Sequence, residues 1–89
     1  MTTETLIHFE HTGSQLTAVE IDRVSHSPLI GSLHGALFAL GIVVSSYRLR
    51  AVDSRLVERI ALERSDGGTI DGALNAETQA IILPMALAG

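Results

Sequence analysis

Ser25-His26-Ser27-Pro28 is the stretch of this 89-residue chain best equipped for chemistry. Two hydroxyls and an imidazole stand just ahead of an apolar helical repeat. Unpaired backbone N–H groups and the positive end of the dipole make a helix start a site for an anion or a carboxylate. The same residues could equally do no more than shape the chain, with Ser27 capping the helix, Ser25 closing a turn and His26 in solvent. Four histidines, His8, His11, His26 and His34, raise the question of a metal, since imidazole is a common ligand. No two of them share the i, i+4 spacing of a helical metal box, and His8 and His11 fall on opposite faces of one strand. Asp22, Ser25 and His26 are near neighbours, but a catalytic triad is defined by geometry rather than adjacency, and no Gly-x-Ser-x-Gly turn is present. Asp66-Gly67-Gly68 lacks the Gly-Lys-Ser/Thr ending of a phosphate loop. These patterns call for no catalytic residue, no metal and no cofactor. A small hydrolase or isomerase using His26 is the weakest of the readings.

The elements that must position these residues follow from periodicity. Thr5 to Glu10 is β-compatible, and Leu16 to Val24 puts Val19 and Ile21 on one face and Glu20 and Asp22 on the other. A Gly-containing loop between them predicts a hairpin. Ser27 as N-cap and Pro28 at the first helical position predict a helix, with Leu29, Leu33, Ala36, Leu37 and Leu40 on one stripe and Gly41 as its exit. Val43, Ser45, Tyr47 and Leu49 alternate with Val44, Ser46, Arg48 and Arg50. After a turn at Asp53-Ser54-Arg55, Glu58, Ile60 and Leu62 alternate with Val57, Arg59, Ala61 and Glu63. Asn75 caps a last helix towards Met85, which Pro84 should kink or fray. The order is ββαββα. It predicts an α/β (α+β) two-layer sandwich of ferredoxin-like kind, a four-stranded antiparallel sheet with two helices on one face. The edge strand usually found last is replaced by one at the N-terminus.

Composition narrows the function classes. The length suits one domain, residues 1–89, with a modest core. The chain is 46% hydrophobic but 3% aromatic, so that core is aliphatic. It has no cysteine, which removes disulfides, thiolate metal sites and cysteine nucleophiles. A net charge of −4 speaks against nucleic acid. Met1 to Glu10 lacks the basic start of a signal peptide, and Gly35 to Val44 is far too short to span a bilayer, so a cytoplasmic location without membrane contact is expected. All six basic residues are arginine, a bias that suits a GC-rich bacterial genome.

The ordered features resemble an ACT domain, most closely the C-terminal ACT repeats of bacterial uridylyltransferase-type nitrogen sensors, whose edge strand also comes first. Leu6-Ile7-His8-Phe9-Glu10 through Ser14 is similar to the leading strand and its turn. Thr17-Ala18-Val19-Glu20-Ile21 is similar to the strand before the ligand loop. Leu33, Ala36-Leu37, Leu40-Gly41 and Ile42 resemble the first helix and its exit. Ser46, Arg48 and Leu49 resemble the next strand, and Glu58, Ile60, Leu62 and Asp66-Gly67 the fourth strand and its turn. In the family the loop before the first helix reads Asp-Arg-Pro-Gly, whereas here it reads Ser25-His26-Ser27-Pro28. The resemblance implies a non-catalytic regulatory domain that dimerises and takes a small amino-acid-like effector at a subunit interface. The matching positions are Ser25, His26, Ser27 and Gly31, with the helix start receiving the effector's carboxylate. The alternative is a ligand-free interaction module that uses the fold to dimerise or to meet a protein partner.

Two surfaces bear on association. Eight residues, His8, Glu10, Glu20, Asp22, Arg48, Arg50, Arg59 and Glu63, should share the open sheet face, where opposite charges pair across strands and disfavour dry face-to-face packing. Ala80 to Gly89 carries no charge. With Ile81 and Met85 turned inward, Ile82, Leu83, Ala86 and Leu87 should lie outside, extended by Ile30 and Phe38 of the first helix. Such a patch marks an interface with a second copy, unless the segment is only a loose apolar tail.

Overall fold

The computed structural model describes residues 4–88. The order is β1 (Leu6–Thr12), β2 (Gln15–Val24), α1 (Ile30–Phe38), β3 (Ile42–Val52), β4 (Arg55–Arg64) and α2 (Gly72–Leu87). The strands form one antiparallel sheet in the order β1-β2-β4-β3. This is an α+β arrangement. It is not strictly ferredoxin-like, because the edge beside β2 is filled by the first strand of the chain rather than the last.

Both hairpins close through two-residue turns that need left-handed backbone. Gly13 supplies it at φ 61°, and Asp53 adopts φ 55°, which a short polar side chain tolerates better than most. Across the sheet the register places Val19 opposite Ile60 and Ile21 opposite Glu58 on the helix side. Leu16, Val19, Ile21, Leu33, Leu37, Ile42, Ile60, Leu62, Ile70 and Ile82 make up most of the aliphatic core. On the other side lie His8, Glu10, Glu20, Asp22, Arg48, Arg50, Arg59 and Glu63, as the alternation predicts. Arg59 is forked onto both carboxylate oxygens of Glu10, and Arg55 Nε donates to Asp22 Oδ1 at 2.5 Å.

Several expectations are corrected. Strict alternation along β3 fails at Ser45, where the register shifts between Val44 and Ser46. This bulge lets Val44 (opposite Leu62) and Tyr47 (opposite Ile60) share the helix side. Helix α1 begins at Ile30, two residues after Pro28, and Leu29 rather than Ser27 holds the N-cap position, with no capping bond from its own side chain. Helix α2 begins at Gly72 with Asp71 as N-cap, not at Asn75. Asn75 lies a turn inside, its amide bonded to His11 and Gln79. Pro84 lies inside α2, which runs past Met85 to Leu87. Burial of Ile82 and Ala86 holds the last turn despite the missing donor.

Ile82 itself is fully buried, so it is a core residue and not part of an exposed patch. The stripe is phased on Thr78, Ile82 and Ala86. Thr78 can occupy the core because its hydroxyl donates to the Leu74 carbonyl at 2.7 Å, which turns the buried face one residue from the purely apolar phase.

Candidate functional site

The start of α1 is organised from β4, not from its own loop. Glu58 has no solvent exposure. A carboxylate on an apolar strand face must find partners or carry a large desolvation cost. It finds three donors. The Leu29 N–H lies 2.9 Å from both oxygens, the Ile30 N–H donates to Oε1 at 3.2 Å, and the Tyr47 hydroxyl donates to the same oxygen at 2.8 Å. Pro28 has no N–H to offer, so the next two backbone donors of the chain both go to Glu58. Tyr47 reaches it because the bulge at Ser45 turns its ring to the helix side. Desolvation, then the hydrogen bond to Glu58 and that carboxylate's charge, push the Tyr47 phenol well above its ordinary range.

The second charged group at this end is Arg23. It is 8% exposed, on the same sheet face as Val19 and Ile21. Its Nη2 donates to the Ser27 carbonyl, and its Nε is buried without a hydrogen-bond partner among the described residues. Arg23 is opposite Leu56, and Glu58 is two residues along β4, so the cation and carboxylate sit diagonally on one face.

The loop residues have smaller parts. Ser25 Oγ accepts from the Ser27 N–H and donates to the Ser27 carbonyl, both at 3.1 Å, in a local turn. His26, Ser27 and Gly31 are exposed. They border the helix start but do not converge on it. Asp22, on the opposite side of the sheet and held by Arg55, does not meet Ser25 and His26. No group of three or more His, Asp or Glu that could hold a metal is found among the described residues. The chemistry this arrangement supports is capping and positioning. Glu58 is shielded from water, with its oxygens taken by donors.

The interface candidates are also redistributed. Among the described residues Phe38 (64% exposed) and Leu87 (61%) are the most exposed large apolar residues, Leu83 is exposed, and Ile30 is half-buried against the core. Leu83 and Leu87 are one turn apart on α2. The Ser65 N–H donates to the Gly41 carbonyl just past α1, and the Leu16 N–H to the Ile70 carbonyl just before α2. Phe38 therefore lies at the end of the helical layer where α2 begins, with Leu83 and Leu87 farther along a helix about 24 Å long. The surface that sequence reasoning missed is the edge strand β3, where every residue from Ser45 to Val52 is exposed, including Tyr47, Leu49 and Val52. Its length and β-branched start were visible, but its place at the edge was set only by pairing. Glu58 was missed as a cap, although a single acid among Ile60 and Leu62 was the signal. No helix of the described residues is long and apolar enough to cross a membrane. Comparison with protein family models, curated proteins and solved structures finds no match.

Proposed function

We propose that the chain is a non-catalytic regulatory domain that acts by self-association, an ACT-like assembly module forming a homodimer along β3. The observation that carries the reading is the Glu58 cap. Two of the N–H groups that an effector's carboxylate at Ser25–Gly31 would use, those of Leu29 and Ile30, already donate to a carboxylate of the fold itself. That favours the ligand-free module over an amino-acid sensor at this loop. The edge of β3 supplies the means. Among the described residues strand β3 pairs only with β4, so the backbone groups along its other side are open to a second strand. On its helix side Tyr47 and Leu49 add partly exposed apolar surface to that edge.

Sedimentation equilibrium tests it. The wild-type protein should be a dimer at micromolar concentration. Leu49→Lys, a charge on an exposed edge position, should be monomeric with an unchanged circular-dichroism spectrum. A monomeric wild-type protein would overturn the proposal. A thermal-shift screen against free amino acids checks the choice between modules. A ligand at 100 times its dissociation constant adds about 2.7 kcal/mol, several degrees for a small domain. The module reading expects no shift. A selective shift, lost in Ser27→Ala or His26→Ala, would restore the effector reading.

A further inference from the structure

We propose that the open sheet face carries an anion site, a groove of about 200 Å³ lined by Glu20, Arg48, Arg50, Val57 and Arg59, that takes a phosphate group. The groove lies on the side of the sheet away from α1; Arg48 and Arg50 belong to β3, the edge strand of the proposed dimer, and the site needs no partner copy.

The cross-strand register is the first observation. Arg48 stands directly opposite Arg59, and Arg50 follows on the same face opposite Val57. Opposed Cα atoms in an antiparallel pair are about 4.5–5.5 Å apart, and like charges placed so destabilise a sheet. A local rule broken on a rigid element marks a site when a ligand removes the cost. Edge protection accounts for a charge on β3, and Glu20 opposite Arg59 on β2 accounts for a cation on β4, but neither calls for Arg48 and Arg50 both to carry the same sign beside it.

The second observation is how little the protein neutralises these cations. Arg59 is held by both oxygens of Glu10. Glu20 is 3.9 Å from both Arg50 and Arg59, too far for a direct hydrogen bond. Arg48 makes no ion pair with the described residues. Glu10 thus fixes Arg59 in place, while Arg48 and Arg50 keep free donors beside it. Guanidinium forks match phosphate oxygens, which arginine binds in bidentate fashion. The groove holds several groups of water size, enough for one phosphate, with Val57 as an apolar floor. Glu20 is the one opposing charge in the lining.

The test is a 15N NMR titration with inorganic phosphate replacing chloride at constant ionic strength, run in parallel with glycerol phosphate. Saturable shifts should be confined to residue 20, residues 48–50 and residues 57–59. Arg48→Gln, at an exposed position, should weaken binding about tenfold, the scale of one lost charge-assisted hydrogen bond. Glu20→Gln should tighten it by removing the competing carboxylate, and Arg64→Gln, whose guanidinium pairs with Asp66, should leave it unchanged. Tighter binding of inorganic phosphate would identify the free ion as ligand, and tighter binding of the ester a phosphorylated metabolite. Shifts that fail to saturate, or equal affinity in Arg48→Gln, would overturn the proposal.

Discussion

Replacing Glu58 by Gln keeps the side-chain volume and changes only what the start of α1 is bonded to. In the wild type one buried carboxylate serves the Leu29 and Ile30 N–H groups and the Tyr47 hydroxyl. The amide retains one acceptor oxygen, puts an NH2 group towards a donor, and removes the negative charge at the positive helix end. A hydrogen bond to a charged group contributes about 1.5–3 kcal/mol, and the helix-end charge up to about 2 kcal/mol when buried. Allowing for the retained oxygen, Glu58→Gln should cost roughly 2–3 kcal/mol. At about 0.05–0.15 kcal/mol per residue the whole domain has roughly 5–13 kcal/mol, so the loss is a substantial fraction. The assay is urea unfolding followed by circular dichroism. With a slope near ~1 kcal/mol per molar, the midpoint should fall by about 2 M while the native spectrum persists, because Leu33 and Leu37 still bury α1. Tyr47→Phe, which removes one of the three donors, should cost about 1 kcal/mol. A Glu58→Gln variant within about 0.5 kcal/mol of wild type, inside the scatter of ordinary surface substitutions, would refute the reasoning.

Two further outcomes follow from the same contacts. Because the folded state raises the Tyr47 phenol above its unfolded value, its contribution is fully present below about pH 10 and is lost as pH rises through the folded value. Stability should therefore fall in alkali. Tyr47 is 37% exposed, so solvent screening lowers the slope to roughly half of the ~1.4 kcal/mol per pH unit of a shielded group. Urea midpoints between pH 9 and pH 11 would show this slope in wild type and lose it in Tyr47→Phe, and equal slopes would contradict it. On α2, Ile82→Ala should cost about 2–4 kcal/mol because Ile82 is fully buried. Leu87→Ala should cost under about 1 kcal/mol in the monomer, and equal costs in thermal melts would place both residues in one environment.

The parts of this fold legible in the sequence were those fixed by local period. Strand β4 alternates cleanly, and β2 does so from Ala18 onward, past a register shift at Thr17, so the open face was read residue by residue, and Gly41 marked the exit of α1. The bulge at Ser45 was hidden because an extra residue has no signature of its own: Val43-Ser45-Tyr47 alternates as well as Val44-Ser46-Arg48. The phase of α2 was misread because Thr78 looks polar until its hydroxyl is seen bonded to its own helix. The cap at α1 was beyond local reasoning altogether. Ser27 and Pro28 form a persuasive start signal, but the group that holds Leu29 and Ile30 comes from a residue 28–29 positions later. The edge position of β3 was likewise a property of pairing.

Strand order also has a kinetic consequence. The chain consists of two ββα halves, each containing a hairpin with a two-residue turn, and each hairpin can close in about 1–10 μs. Within the sheet the halves join where β2 pairs with β4, from Ala18 and Ala61 at one end to Val24 and Arg55 at the other. That seam must bring together positions 31 to 43 residues apart, and loop-closure entropy opposes it before any contact rewards it. The Glu58 bonds to Leu29 and Ile30 cross the same seam. They form when the halves dock, and they act as a latch on a joint that neither half can make alone.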